Sequence, residues 1–282
     1  MDMTADWQWD ETLFEGTAVY YRRGRIPYAP GTIEVIARVL EADGTQRLLD
    51  VGCGPGTIGV ALAPFFGEVV GIDADAGMIA EAALWADGAG VTDRTRWLRM
   101  RAEELPAGLG EFDVVAFGQS FHWMDRATVP ATIRAMLRPG GALVHVADWK
   151  AEMRTAEGLP HPAPPYAAVD ELVKRYLGPT RRAGRGTLPH GTPGDEAEVL
   201  ARAGFDGPDQ HIVRGGQHLV RTEDDVVAGT FSMSYAAPHL FGPRSDEFEA
   251  ELRQLLREES PTGLFSERQP STEVRIWYQF HI

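Results

Sequence analysis

The sequence predicts an α/β fold: an open, mostly parallel sheet with helices on both faces. Two observations carry that expectation. From Arg47 to about Asp148, short apolar runs alternate with longer helical segments, the rhythm of parallel βαβ units. The first apolar run also ends in a glycine-rich turn, Gly52-Cys53-Gly54-Pro55-Gly56, placed where a strand hands over to a helix.

The elements follow in order. Leu48 to Val51 is a buried-strand run, and Thr57 to Phe66 reads as a helix with Thr57 at its N-cap. Glu68 to Asp73 is the second strand and Ala76 to Asp87 the second helix. Thr95 to Met100 and Asp113 to Phe117 are the third and fourth strands. A helix over Ala127 to Leu137 is ended by Pro139-Gly140-Gly141, and Ala142 to Ala147 is the fifth strand. Beyond Lys150 the rhythm changes. The stretch 158–194 is rich in Pro and Gly, interrupted by a helix from Ala167 to Leu177, so 150–194 reads as an inserted lid within one domain spanning 1–282. Helices are expected at Asp195 to Ala203, Glu223 to Phe231 and Ser245 to Glu258, with strands at Gln210 to Arg214 and Glu273 to Phe280. No second hydrophobic core large enough for a domain is evident in the pattern.

Charge and cysteine usage narrow the classes. The formal net charge is −14, with 41 acidic against 27 basic residues, a poor match for nucleic acid or anionic membranes. Cys53 is the single cysteine, so an internal disulfide and thiolate-rich zinc or iron–sulfur sites are excluded. The eight histidines show no metal-ligand spacing, and no metal is expected. The acidic start MDMTADWQWDE does not resemble a signal peptide, and no apolar run approaches the length of about 18 residues that a transmembrane helix needs. A soluble, cytoplasmic protein is expected.

The glycine loop admits two registers. Gly54-x-Gly56-x-x-Gly59, with Asp73 nearly 20 residues on, fits a dinucleotide fingerprint. Asp50-x-Gly52-x-Gly54-x-Gly56, with Asp73 closing the next strand, fits a loop for S-adenosylmethionine. Electrostatics favours the second: a carboxylate at position 50 repels a pyrophosphate but suits a sulfonium and an ammonium. Asp73 can accept from ribose hydroxyls in either case. Glycines that serve strand–helix packing alone are the bland alternative.

With LLDVGCGPG followed by VVGID, the chain resembles the class I S-adenosylmethionine-dependent methyltransferases, in the small-molecule branch that includes trans-aconitate methyltransferase. The resemblance is clearest from Asp50 to Asp148. It implies a Rossmann-like, doubly wound sheet of seven strands with an antiparallel last strand, EVRIWYQF. It further implies that Asp50, Gly52, Cys53, Gly54 and Gly56 form the cofactor loop, that Asp73 holds the ribose, and that Ala74 and Met78 lie near the adenine. Ala102-Glu103-Glu104-Leu105-Pro106 resembles the family's segment after the third strand, where a backbone amide and an acid read the adenine edge. Arg101 stands where an acid is common, so Glu103 is the acid left for that contact, or else part of a solvated helix start. Tyr21-x-x-x-Arg25-x-x-Tyr28 resembles the segment that folds over the cofactor, with Tyr21 and Arg25 reaching its carboxylate and Tyr28 toward the acceptor; a surface turn is the alternative.

Gly118-Gln119-Ser120-Phe121-His122-Trp123 follows the fourth strand and resembles the family's Q-x-x-H-W. Gln119 is expected near the cofactor's methionine end, and His122 faces the substrate as a base, or else hydrogen-bonds the backbone at the strand end. Gly118-x-Ser120 also hints at a hydrolase nucleophile elbow, but His122 occupies the place of its second glycine. Ser232-Met233-Ser234-Tyr235 resembles a segment bordering the acceptor pocket, making Ser234, Tyr235 and Trp123 substrate-binding candidates, with Trp149 and Tyr166 as further ones; each aromatic could equally be core or lid packing.

The expected activity is transfer of a methyl group from S-adenosyl-L-methionine, leaving S-adenosyl-L-homocysteine, to oxygen or nitrogen of a small-molecule acceptor, with a place in specialised metabolism implied by the resemblance. Competing readings are an NAD(P)-dependent oxidoreductase, a methyltransferase for protein or nucleic acid, and a non-catalytic cofactor-binding protein. The oligomeric state is not legible in the sequence.

Overall fold

The computed structural model describes residues 10–149, 158–183, 186–187 and 195–279. It divides the chain into two compact units. One is built from Tyr28–Lys150, Thr192–Arg214 and Ser271–Ile282; the other from Met1–Pro27, Ala151–Gly191 and Gly215–Pro270.

The first unit holds a seven-stranded sheet: β1 (Arg47–Val51), β2 (Glu68–Asp73), β3 (Thr95–Arg99), β4 (Phe112–Gly118), β5 (Leu137–Asp148), β6 (Phe205–Val213) and β7 (Thr272–Gln279). Their spatial order is β3-β2-β1-β4-β5-β7-β6. All pairings from β3 to β5 are parallel, and β7 runs antiparallel to both β5 and β6. This is the doubly wound, Rossmann-like sheet with an antiparallel last strand that the sequence implied. Successive residues feed opposite faces. Leu49, Val70, Val115, Phe117 and Leu143 pack on one side with Ile133 and Leu200; Leu48, Val69, Val114, Ala116 and Val144 pack on the other with Ile36, Leu62 and Phe66. Burial on both faces explains why these strands read as continuous apolar runs rather than alternating ones.

Several boundaries differ from the sequence expectation. The helix after the glycine loop is shorter, Gly59–Leu62 continued by a 3-10 turn at Ala63–Phe65, and Thr57 does not cap it: the cap position is Ile58, with no side-chain bond. The Gly59 N–H finds its acceptor instead on Asp50, 2.8 Å away. The helix expected at Ala127 begins at Val129 and ends at Met136, because Leu137 already pairs with Phe112 as the first residue of β5. Pro139-Gly140-Gly141 therefore lies inside the strand, not beyond a helix. β6 starts at Phe205, five residues before the expected strand; it is a sheet edge whose Asp206 to Gln210 are exposed, so no apolar pattern marks it. The helix Thr32–Val39 was not anticipated.

The second unit has its own apolar cluster, which the pattern reading did not anticipate: Leu172, Val226, Phe231, Phe241, Phe248, Leu252, Leu256 and Phe265. Phe241 and Phe248 stack at 3.9 Å. The cluster gathers helices Tyr166–Leu177, Glu223–Phe231 and Ser245–Glu259, all close to their expected ranges. A short helix Ala18–Gly24 and an antiparallel pair, His218–Thr222 with Leu264–Arg268, went unforeseen. Thr222 and Asp225 form a reciprocal capping box on the Glu223–Phe231 helix. Arg221 binds Glu267 at 2.8 Å and donates to the Gly24 and Asp225 carbonyls, while Tyr166 donates to the other Glu267 oxygen at 2.7 Å. Both members of that ion pair are buried, and both Glu267 oxygens and both terminal nitrogens of Arg221 have a partner. Of the expected lid at 150–194, residues 150–157, 184–185 and 188–194 lie outside those described.

Candidate cofactor and acceptor site

The candidate site of the sheet unit lies at the carboxyl ends of the parallel strands, where open α/β sheets bind ligands. After β1 the chain turns through Gly52, Gly54 and Gly56 with φ of +65°, +53° and +86°. These are backbone conformations that an L side chain resists. The three glycines differ in surroundings. A Cβ on Gly52 would lie 2.6 Å from the Ser120 Cβ, and one on Gly56 would lie 2.8 Å from a Val60 methyl. A Cβ on Gly54 would meet nothing within 4 Å. Gly52 and Gly56 are thus fixed by packing as well as by φ, while Gly54 leaves an open cradle at the crest of the loop.

Asp73, ending β2, ties that crest in place. Its Oδ2 accepts from the Gly54 N–H at 2.9 Å, and its Oδ1 accepts from the Asp75 N–H at 2.9 Å. Asp75 in turn caps the Ala76–Gly88 helix by accepting from the Met78 N–H at 2.8 Å. A carboxylate has about four acceptor positions, so Asp73 keeps capacity for two more donors such as vicinal hydroxyls. Burial pushes its carboxyl up to about 6, opposed by the amides of Asp75 and Gly54.

Asp50 takes a different place from the ligand-facing one argued from sequence. It is 1% exposed beneath the loop, where its Oδ2 anchors Gly59. Its Oδ1 has no hydrogen-bond partner, and burial pushes the carboxyl up to about 7. Cys53 is likewise buried, its thiol raised well above the usual range by desolvation and then by Asp50 and Asp73. Met78 is buried as well, with its N–H committed to Asp75, whereas Ala74 is only partly covered.

The geometry also separates the two registers of the loop. Gly59 is helical and has no positive φ; a Cβ there would crowd the Asp50 Oδ2 at 3.0 Å and Trp97 at 3.1 Å. Its glycine is a packing requirement. Gly56 and Gly71 make room for the same indole, since a Cβ on Gly71 would lie 2.3 Å from the Trp97 ring. The helix-start amide of Gly59 is already taken by a carboxylate, which disfavours an anion there. The three left-handed glycines fall in the other register, Gly52-x-Gly54-x-Gly56.

Ala102 and Glu103 follow β3 in a 3-10 turn, with Ala102 buried. Glu103 spends both oxygens on the protein: Oε1 accepts from the Asp125 N–H at 2.8 Å and Oε2 from Arg101 at 3.3 Å. After β4, Gln119 holds φ of +55°, a left-handed conformation unusual outside glycine, with its side chain exposed and its N–H on the Val146 carbonyl. Ser120 donates to the Val51 carbonyl at 2.5 Å and packs on Gly52, so the second loop lies directly on the first. A buried serine bound in this way is no exposed nucleophile. His122 and Trp123 sit in a 3-10 turn, half-buried, their rings 4.6 Å apart. A Cβ on Gly118 would lie 3.3 Å from the Tyr28 hydroxyl, which brings Tyr28 to the end of β4. Trp149 pairs its N–H with the Ser271 carbonyl.

Tyr21, Arg25, Ser234 and Tyr235 belong to the other unit. There the Arg25 guanidinium lies over the Tyr21 ring at 4.7 Å and donates to the Ser232 carbonyl at 2.8 Å, with its Nε buried and unpartnered. Arg181 lies over Tyr235, and Ser234 is buried in a 3-10 turn. Tyr166 is spent on Glu267. The sequence reading missed Ser120, Met124 and Trp97, which shape the loop. Only Trp97 left a signal, a bulky aromatic in the strand next to Gly71. Among the described residues, no group of His, Cys, Asp and Glu could hold a metal ion, and no helix is long and apolar enough to cross a membrane.

Comparisons with known proteins agree with this geometry. Residues 48–141 match a family described as a methyltransferase domain. An uncharacterised methyltransferase of Mycobacterium tuberculosis is 35% identical over 137 residues, 48% of this chain and 51% of that protein. A ubiquinone biosynthesis O-methyltransferase of Cereibacter sphaeroides is 37% identical over 99 residues, 35% of this chain and 39% of that protein. The matches span 39% to 60% of the length of curated relatives such as these. In fold it is similar to a methyltransferase from Geobacter sulfurreducens, solved with S-adenosyl-L-homocysteine: TM-score 0.52 and 18% identity, covering 98% of this chain and 99% of that one. The match and the sheet order together liken residues 48–141 to a methyltransferase domain on a Rossmann-like, doubly wound sheet.

Proposed function

We propose that this protein transfers a methyl group from S-adenosyl-L-methionine to an oxygen or nitrogen atom of a small-molecule acceptor, in the cytoplasm and within a specialised-metabolite pathway. The observation that carries the reading is the Gly52–Gly56 loop, with its open crest at Gly54 and its amide tied to Asp73. Asp73 has acceptor capacity for a ribose, and the loop backbone can approach a ligand closely because no side chain stands on Gly54. When bound, S-adenosyl-L-methionine supplies an activated methyl on a sulfonium, so the chain's task is alignment, worth up to about 7–11 kcal/mol. His122 is assigned as the base for an acceptor that arrives protonated.

The other assignments belong to the same proposal and rest on sequence resemblance: Tyr21 and Arg25 for the cofactor's carboxylate, Gln119 for its methionine end, and Tyr28, Trp123, Ser234 and Tyr235 for the acceptor, with 150–194 as a lid. The acceptor class is supported by relatives such as the ubiquinone-pathway O-methyltransferase. The charge of −14 argues against nucleic acid. Calorimetric titration with S-adenosyl-L-methionine, S-adenosyl-L-homocysteine and NAD tests the reading. Micromolar binding of the first two without the third is expected; binding of NAD alone would overturn it.

A further inference from the structure

Glu103 follows β3 on the side of the site assigned to the cofactor, yet its carboxylate reaches across to the loop after β4. Its Oε1 accepts from the Asp125 N–H at 2.8 Å, and Arg101 braces its Oε2 at 3.3 Å. Asp125 is where the loop of His122 and Trp123 passes into the next helix. Its own carboxylate accepts from the Ala127 N–H at 2.9 Å and the Thr128 hydroxyl at 2.8 Å, and its carbonyl accepts from the Val129 N–H at 3.0 Å. At the other end of the loop Phe121 is buried against Phe117, ring centroids 5.2 Å apart. His122, Trp123 and Met124 are therefore strung between a core anchor and an anchor supplied by Glu103. Met124 also leans on the glycine loop, since a Cβ on Gly52 would lie 3.0 Å from its methyl.

From this arrangement we infer that Glu103 is a positioning residue: its carboxylate latches the His122 loop to the turn after β3, so that the two sides of the site are set by one side chain. The inference rests on the methyltransferase reading for what the site does, but the latch itself is a property of the chain. It gives Glu103 a task distinct from reading the adenine edge, because its carboxylate is directed at the Asp125 N–H and at Arg101. A carboxamide in its place keeps an oxygen for the Asp125 N–H; a methyl group does not.

The test compares wild type, Glu103→Ala and Glu103→Gln by hydrogen exchange of a peptide spanning 121–126, with a β5 peptide as control. In the Ala variant the 121–126 amides are expected to exchange about tenfold faster, the loss of one charge-assisted bond, with the control unchanged. The Gln variant should exchange close to wild type. The His122 ring signals in proton NMR, assigned by their loss in His122→Gln, should shift in the Ala variant and return in the Gln variant. Unchanged exchange in Glu103→Ala would overturn the latch. So would an Ala variant that loses the wild-type preference for S-adenosyl-L-homocysteine over S-inosyl-L-homocysteine, because Glu103 would then be reading the adenine amine itself. Failure of the wild type to bind S-adenosyl-L-homocysteine would sink the methyltransferase reading and leave the exchange result to decide the latch alone.

Discussion

Asp50→Asn should flatten part of the dependence of stability on pH. The carboxyl is 1% exposed, one oxygen holds the Gly59 N–H at 2.8 Å, and the other has no partner. Desolvation pushes it up to about 7, well above the ordinary carboxylate range, and the nearby Asp73 up to about 6. A carboxyl raised on folding binds its proton more tightly in the native state, so the native protein holds more protons than the unfolded chain between about pH 4 and 7. Stability must therefore fall as pH rises through that window. For Asp50 the linkage integral between pH 5 and pH 8 is about 2–3 kcal/mol, and Asp73 adds about 1 kcal/mol on the same reasoning. The Asn variant removes the Asp50 share and keeps an oxygen for Gly59. Its amide N–H groups fall where the partnerless oxygen sits, at a cost of about 1–3 kcal/mol at any pH. Urea unfolding at pH 5 and pH 8, read by exchange of a peptide over 47–60, isolates the sheet unit. The expected result is a smaller difference between the two pH values in the variant than in the wild type. An equal difference, or a wild type more stable at pH 8, would refute the argument.

Three further outcomes follow from the same candidate site. Asp73→Ala should reduce S-adenosyl-L-homocysteine affinity at least tenfold by calorimetry, through lost ribose contacts and a released Gly54 amide; full affinity would count heavily against the site. Gly54→Ala should fold at a cost of about 1–2 kcal/mol for its left-handed φ, yet bind poorly because the methyl fills the cradle, whereas Gly52→Ala should lose more stability against Ser120. Thermal melts beside titrations distinguish the two. His122→Ala should lower turnover on any acceptor found by screening far more than it lowers cofactor affinity, and a variant with both unchanged would make His122 structural.

Legibility in the sequence tracked how much of each feature is local. The strands of the sheet centre were readable because burial on both faces turns them into apolar runs, and the helix Glu223–Phe231 because Thr222 and Asp225 mark its start three residues apart. β6 was largely hidden because an edge strand needs only one neighbour and keeps polar side chains. The second unit's cluster was hidden because it is assembled from helices up to about eighty residues apart in sequence, each only modestly apolar. The left-handed glycines and Asp73 at the end of β2 could be located by spacing, since backbone conformation and strand ends fix where they fall. The orientation of Asp50 was not legible: spacing located it beside the ligand loop, but where it points depends on Gly59 offering an N–H nine residues later. Glu103 is the same case at longer range. Its partner lies 22 residues on, beyond β4, so the motif that suggested an adenine contact carried no trace of Asp125. A carboxylate's position can be inferred from a motif; which donor claims it is decided by backbone amides that any residue type supplies, and those leave no mark in the sequence.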